Sequence, residues 1–292
     1  MATLREIRHR ITGVTNTQKI TKAMKMVAAA RLRRAQEAIV SARPYARKLG
    51  ELLRHLVTKV DVNLNPLLVG RETRTVLLVV VTADRGLCGS FNSNIIKAAI
   101  QRLKTQGDVA TQVMTIGRKG TEFFGKRKYD VVLKHPGIFL DLEFDHARSF
   151  VQEITEGYLE GRFDKVEVIY NEFKSVIQQR IVVEQLLPIP AEETQPSKDS
   201  KGRSLVDYIY EPSSAEIVNV LVPRHLNFQM WRILLESNAA EQGARMTAMD
   251  NATENARELI RDLTLKFNNA RQASITKELL EIVSGAEALK AS

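Results

Sequence analysis

An apolar seam runs through the first 60 residues and constrains the fold more than any other feature of this sequence. Its positions alternate in steps of three and four, and 14 of the 17 are apolar. That spacing is typical of a helix in a coiled coil. At 1.5 Å per residue, such a helix would be about 80–90 Å long. The seam positions are Leu4, Ile7, Ile11, Val14, Gln18, Thr21, Lys25, Ala28, Leu32, Ala35, Ile39, Ala42, Ala46, Leu49, Leu53, Leu56 and Val60.

The three polar exceptions in this seam follow one another, and around them the apolar residues shift to a different face of the helix. The shift predicts that the helix leaves its coiled-coil partner locally and offers this face to another protein. The polar seam positions are Gln18, Thr21 and Lys25, and the displaced apolar residues are Ile20, Met24 and Val27.

The C-terminal segment repeats the pattern, with eight apolar residues at ten seam positions between Ala239 and Ala270. The pattern resumes at Ile275 after a slip of one residue, and it predicts a helix over residues 226–285. Two long helices separated by a whole middle domain are expected to pair with each other in antiparallel orientation. The same periodicity also fits a homodimer in which each helix pairs with its own copy, and spacing alone leaves both arrangements open.

Strand-like and helical segments alternate in the middle of the chain. Strands are predicted at 75–82, 112–116, 129–133, 166–173 and 177–185, the last two as a hairpin with its turn near Lys174 and Ser175. Helices are predicted at 95–104, just after 117–120, and at 144–159. This order is typical of a small Rossmann-like sheet. The predicted fold class is therefore α/β, with a long antiparallel coiled coil of the N- and C-terminal helices and a central Rossmann-like α/β domain. The predicted domain bounds are 1–60, 74–204 and 205–292.

Positive charge is concentrated at the N-terminus. Residues 1–60 carry 14 Lys and Arg against three Glu, a net charge of +11, whereas the whole chain carries +9. The remainder is therefore −2. Such a segment predicts an acidic partner, which could be nucleic acid, an anionic membrane surface or acidic protein loops.

No segment of the sequence predicts a catalytic, cofactor-binding or metal-binding site. The loop 84–90 follows the first strand and contains two glycines, but it lacks the Gly-Lys-Ser/Thr ending of a phosphate-binding loop. Cys88 has no histidine near it in the sequence, and it is interpreted as an inert thiol. The longest apolar run, 76–81, is far too short to span a membrane, and the N-terminus has no apolar core typical of a secretory signal.

The segment from Ile275 to Ala288 fits the signature I-T-x-E-x-x-[DE]-x-x-x-G-A-x-[SAKR] at every fixed position. On this motif the chain resembles the γ subunits of F-type ATP synthases of the bacterial type. Further segments resemble the family in the same order along the chain, namely 7–8 with 16–29, 82–89, 207–212 and 238–249. The resemblance therefore covers the whole sequence.

The resemblance implies a central rotor shaft that couples ion-driven rotation of the c-ring to ATP synthesis or hydrolysis at the α3β3 catalytic sites. It implies the α, β and ε subunits and the c-ring as partners, one copy per complex, and a peripheral position on the cytoplasmic face of the bacterial cell membrane. It implies no chemistry, cofactor or metal on this chain. It also implies that the stretch around Met24 lies close to β loops and to the C-terminal helix around Arg271. The partner contacts it implies are Met24, Lys25, Arg34, Arg271, Gln272, Thr276, Glu278 and Glu281.

Two alternatives from other functional classes remain open at this point. A basic coiled coil that binds nucleic acid would account for the charge of the N-terminal segment, although aromatic residues for base stacking are scarce. A small-molecule enzyme would account for the Rossmann-like middle. Neither alternative accounts for the motif at 275–288.

Overall fold

The computed structural model describes residues 3–57, 65–107, 109–176, 178–190 and 214–291. Most of the polar, proline-containing stretch at 188–204 lies outside the described residues. The described chain divides into two compact units. The coil unit comprises Met1–Val27 and Met246–Ser292, and the sheet unit comprises Ala28–Arg245.

A five-stranded sheet with the order β3-β2-β1-β4-β5 forms the centre of the sheet unit. Strands β1 to β4 are parallel, and β5 is antiparallel to β4. The strands are β1 (Thr75–Val81), β2 (Ala110–Ile116), β3 (Val131–His135), β4 (Lys165–Phe173) and β5 (Gln179–Leu187). The connecting helices are α2 (Phe91–Thr105), α3 (Arg118–Gly125) and α4 (Phe144–Leu159). The predicted α/β class and the β4–β5 hairpin are confirmed.

Both faces of the sheet are covered, as expected for parallel strands that read as continuous apolar runs. One face, which includes Leu77 and Val79, packs with α4 and with Leu53 and Leu56 of the first helix. The opposite face, which includes Leu78, packs with α2 and α3. The alternation of side chains along β1 thus places successive residues in two separate cores.

Two long helices begin and end the described chain. The first, α1, spans Leu4–Val57, close to the predicted 1–60. The last, α5, spans Ser214–Ala291, so it begins 12 residues before the predicted start at 226 and continues through Pro223. An interior proline costs a helix about 3 kcal/mol. Here Val218, Val222 and Leu226 are buried in the core of the sheet unit. Burying such side chains contributes about 1.5–3 kcal/mol each. Together they outweigh the free-energy cost of the proline.

Within the coil unit, the two helices pack antiparallel. Arg8 lies over the ring of Phe267 at 5.6 Å, and the Thr21 hydroxyl lies 2.7 Å from that of Thr253. The α5 seam predicted from the spacing is confirmed here, because Met249 and Ala256 are buried along with Thr253. The intrachain antiparallel pairing is therefore confirmed.

Candidate functional site

The carboxyl edge of the parallel strands is where an open α/β sheet normally binds a ligand. In this chain the carboxylate of Asp84 occupies that edge. Its Oδ1 accepts hydrogen bonds from the backbone N–H of Arg118 at 2.8 Å and of Gly137 at 2.6 Å. Its Oδ2 accepts one from the N–H of Phe139 at 2.9 Å. Three N–H groups that could hold an anion are therefore already bonded to a side chain of the chain itself.

The glycines after β2 serve close packing against the end of β1. A Cβ on Gly117, whose φ is 91°, would lie 2.0 Å from the carbonyl oxygen of Thr82. The N–H of Gly120 donates to the Thr82 hydroxyl at 2.8 Å. The geometry agrees with the interpretation of these glycines as structural rather than phosphate-binding.

The strand order reverses between β1 and β4, and this switch point is the usual ligand crevice of such a sheet. Helix α5 fills it. Ala240 is buried in the same core as Leu78 and Cys88. A Cβ on Gly243 would lie 3.4 Å from the Phe173 ring and from the Val176 carbonyl oxygen. The helix therefore lies in close contact with the end of β4 and the turn that follows.

Arg245 follows Ala240 and Gly243 on α5 and closes the crevice. Its Nη1 donates to the carbonyl oxygen of Gly86 at 2.6 Å, and its Nη2 pairs with Glu241. Both side chains are nearly inaccessible to solvent, at 11% and 7% exposed. The loop 84–90 therefore binds α5. The loop sequence by itself does not indicate this contact.

Cys88 is buried inside this contact. Burial raises the pKa of its thiol, and the negative charge of Glu241 adds to the effect. A raised pKa lowers the fraction of reactive thiolate at neutral pH. The environment agrees with the interpretation of Cys88 as inert.

A charged cluster lies on the other face of the sheet, where α5 crosses β4 and β5. Arg232 pairs with Glu184 and donates to the Tyr170 hydroxyl at 3.0 Å. It lies 3.5 Å from Glu236. Burial raises the pKa values of Tyr170 and Glu236. The cluster joins the helix to the sheet through a guanidinium shared among several acceptors.

The histidines within the described ranges are dispersed. His135 lies 3.0 Å from Glu153, and His146 accepts from the N–H of Glu143 at the start of α4. Across the described residues, no group of His, Cys, Asp and Glu side chains is arranged to hold a metal ion.

The seam of the coil unit does not break at the three polar residues, which corrects the predicted change of face. Thr21 is buried against Thr253, and the Lys25 ammonium lies 2.6 Å from the Asp250 carboxylate. Polar pairs replace apolar ones, and the helices stay together. Ile20 and Val27 do point away, being 60% and 54% exposed.

The expected proximity of Met24 to Arg271 is also wrong for this chain. Lys25 contacts Asp250, and Arg271 lies 21 residues farther along α5. At 1.5 Å per residue that is about 30 Å. The structure therefore places the predicted contacts in separate groups rather than in one cluster.

Most of the predicted contact residues are exposed. Met24 and Lys25 are half-buried, whereas Arg34, Arg271, Gln272, Thr276, Glu278 and Glu281 are exposed. Four of the last five have contacts within α5: the Thr276 hydroxyl donates to the Gln272 carbonyl, the Ser274 hydroxyl donates to Glu278, and Lys277 lies 3.6 Å from Glu281.

Within the described residues, no part of α1 lies opposite the end of α5. The antiparallel register places Leu4, where α1 begins, opposite about residue 270. Beyond it, five large apolar side chains are 49–68% exposed. A patch of this kind on a helix marks a site of interaction with another protein. The five are Ile275, Leu279, Leu280, Ile282 and Val283.

Known proteins match this chain over its whole length. A family model described as ATP synthase matches residues 3–289. The ATP synthase gamma chain of Chloroherpeton thalassium is 56% identical over all of both chains. That of Chlorobaculum tepidum is 55% identical over 99% of this chain and 100% of its own length. This chain belongs to the ATP synthase gamma chain family.

Chains from solved ATP synthase structures have the same fold. One chain from the central stalk and c-ring of Tetrahymena thermophila mitochondrial ATP synthase has a TM-score of 0.60 and 26% identity, covering 80% of this chain and 99% of that one. One from Euglena gracilis mitochondrial ATP synthase has a TM-score of 0.67 and 19% identity, covering 99% and 95%.

Membership of the gamma family gives no support to the nucleic-acid-binding alternative. In the parts of this gamma-family chain that the structure describes, no helix combines the length and the apolarity needed to cross a membrane.

Proposed function

We propose that this chain is the rotating central shaft of a bacterial F-type ATP synthase. It couples ion-driven rotation of the c-ring to ATP synthesis or hydrolysis at catalytic sites formed by the α and β subunits. Its partners are the α, β and ε subunits and the c-ring. One copy serves each complex, on the cytoplasmic face of the membrane.

The observation that carries this proposal is the end of α5. A two-helix coil that narrows to one helix with exposed apolar side chains is suited to turn inside an apolar collar of surrounding subunits. These side chains lie between 275 and 283, within the segment 275–288 that fits the family signature. Burying such side chains in an assembly contributes about 25 cal/mol for each Å² of apolar surface.

The exposed charged residues supply a second kind of contact. Arg34 and Arg271 are available to acidic loops of neighbouring subunits, and Glu278 and Glu281 to basic ones. The Lys25 ammonium pairs with Asp250, and we propose that it also contacts acidic groups of neighbouring subunits. Gln272, Thr276 and Met24 complete the proposed contact set.

The shaft is proposed to have no catalytic site of its own. Support comes from the sheet edge, where Asp84 takes up three N–H groups. Further support comes from the crevice, which α5 fills with Ala240 and Gly243. A nucleotide phosphate bound at this edge of the sheet would have to displace both the Asp84 carboxylate and helix α5.

Complementation of a bacterial strain that lacks its own gamma chain tests the proposal. Membranes with this chain should pump protons when ATP is added. Leu279→Asp should reduce pumping at least about tenfold, because an unpaired carboxylate buried in an apolar contact costs several kcal/mol. The matched variant Leu279→Ala should keep most of the activity.

Two outcomes would count against the shaft role. One is equal pumping by the Asp and Ala variants. The other is failure of the wild-type chain to co-purify from membranes with α, β and ε subunits and the c-ring. Stoichiometric binding of Mg-ATP to the isolated chain by calorimetry would contradict the proposed lack of a nucleotide site.

A further inference from the structure

Three N–H groups from separate segments converge on one carboxylate at the carboxyl edge of the sheet. The start of α3 supplies that of Arg118, and the turn after β3 supplies those of Gly137 and Phe139. The carboxylate of Asp84 comes from the loop after β1. All three bonds are 2.6–2.9 Å long, the range of strong bonds to an ionised acceptor.

The backbone supplies this arrangement of donors independently of Asp84. Gly117 lies against Thr82 too closely for any side chain, and its N–H donates to the His135 carbonyl at 2.9 Å. The Lys119 N–H donates to the Ala83 carbonyl at 3.1 Å. Backbone bonds therefore connect these segments without the Asp84 side chain. These three N–H groups are partly buried, and an N–H group that is shielded from water and lacks an acceptor destabilises the fold. Removing the Asp84 carboxylate would leave these three N–H groups without their acceptor, all facing the space that the carboxylate occupied.

We propose that these donors form an oxyanion site that the chain fills with its own Asp84 carboxylate. The ligand class is a small monocarboxylate, which the site accepts when the side chain is shortened. Asp84 is 8% exposed, so the emptied space lies next to solvent. This inference does not depend on the role of the chain as a shaft.

Chemical rescue in the full chain tests the site, with the thermal midpoint as readout at neutral pH. Asp84→Ala removes a carboxylate, the size of formate. Asp84→Gly removes a carboxymethyl group, the size of acetate. Both variants should melt lower than wild type. Formate should raise the midpoint of the Ala variant, and acetate that of the Gly variant, each with saturation and each more than chloride at equal ionic strength.

Asp84→Asn is the matched control, because it keeps the volume and removes the charge. The amide has one acceptor oxygen, and its N–H₂ group only donates, so the side chain cannot accept all three bonds. The Asn variant should therefore melt below wild type and gain no more from formate than from chloride. If the Ala variant does not fold on expression, the yield on refolding in formate against chloride replaces the melting measurement.

Several results would overturn the site: an Asn variant as stable as wild type, equal gains from formate and chloride in the Ala variant, or a rescue of the Asn variant equal to that of the Ala variant. Preference of the Gly variant for formate over acetate would also contradict the proposed match of size.

Discussion

Thr21 and Thr253 face each other across the two long helices, with their hydroxyl oxygens 2.7 Å apart. Each hydroxyl also has a carbonyl acceptor in its own helix, Gln18 for Thr21 at 3.1 Å and Met249 for Thr253 at 2.7 Å, so either hydroxyl can donate across the pair. Both residues are buried. The coil unit therefore contains a polar layer at the point where the seam of apolar residues stops, and the layer keeps the helices paired.

A double-mutant cycle on this pair should show coupling. Thr21→Val removes one of the two hydroxyls and leaves the Thr253 oxygen short of one partner, which should cost about 0.5–1.5 kcal/mol of unfolding free energy. Thr253→Val should cost a similar amount. The double variant should cost less than the two single changes together, because no unpaired hydroxyl remains. Urea unfolding of the four proteins measures the cycle, and strict additivity would show that the contact is energetically silent.

Acid should destabilise the sheet unit through Glu167. Burial alone would raise the pKa of this carboxyl, but hydrogen bonds from Arg102 and Lys165 outweigh burial and lower it. Because the folded-state pKa lies below the unfolded value of about 4.5, the stabilisation is complete above that pH. It is lost as the pH falls through the lower, folded-state pKa.

Glu167→Gln should therefore reduce stability at pH 7 and flatten its fall in acid. Part of the fall should remain, because the pKa values of Asp164 and Glu172 are lowered as well. Urea midpoints between pH 3 and pH 7, about the range in which carboxylates titrate, provide the measurement. The exposed Glu122→Gln is the control and should leave the slope nearly unchanged. An equal effect of both variants would rule out the special role of Glu167.

Gly243 should tolerate one methyl group and nothing larger. A Cβ there would lie 3.4 Å from its nearest neighbours, which is van der Waals contact, and alanine gains up to about 1 kcal/mol over glycine in a helix. Gly243→Ala should thus be neutral or stabilising, whereas Gly243→Leu should destabilise by about 1–3 kcal/mol through overpacking. Thermal unfolding distinguishes them, and a stable Leu variant would mean that α5 does not fill the crevice tightly.

Cys88 should react with iodoacetamide only after unfolding. Its thiol is buried and its pKa is raised, so little thiolate is present at neutral pH. Because it is the single cysteine, mass spectrometry of the labelled chain gives an unambiguous readout. Cys88→Ser should leave ATP-driven pumping unchanged and insensitive to dithiothreitol. Rapid labelling of the native chain would contradict the buried environment.

Periodicity along the chain was enough to predict both long helices, the seam of α5 and the strands of the sheet. These features are local or repeat regularly, so spacing alone reports them. The residues from Ile275 to Ala288 likewise carry the family signature without reference to any contact. The start of α5 was harder to predict, because Pro223 favours a break and only burial of Val218 and Val222 overrides it.

The sequence by itself therefore determined the fold class, the presence of two long terminal helices and the family, because each depends on residue type and spacing. That these two helices pair with each other, rather than with a second copy of the chain, was decided by the tertiary contacts between them. Tertiary structure alone decided which groups meet. Thr21 faces Thr253, Asp84 bonds N–H groups up to 55 residues away, and Arg245 reaches Gly86 across 159 residues. Hydrogen bonds between residues so far apart depend on how the elements pack, and no local pattern encodes that packing.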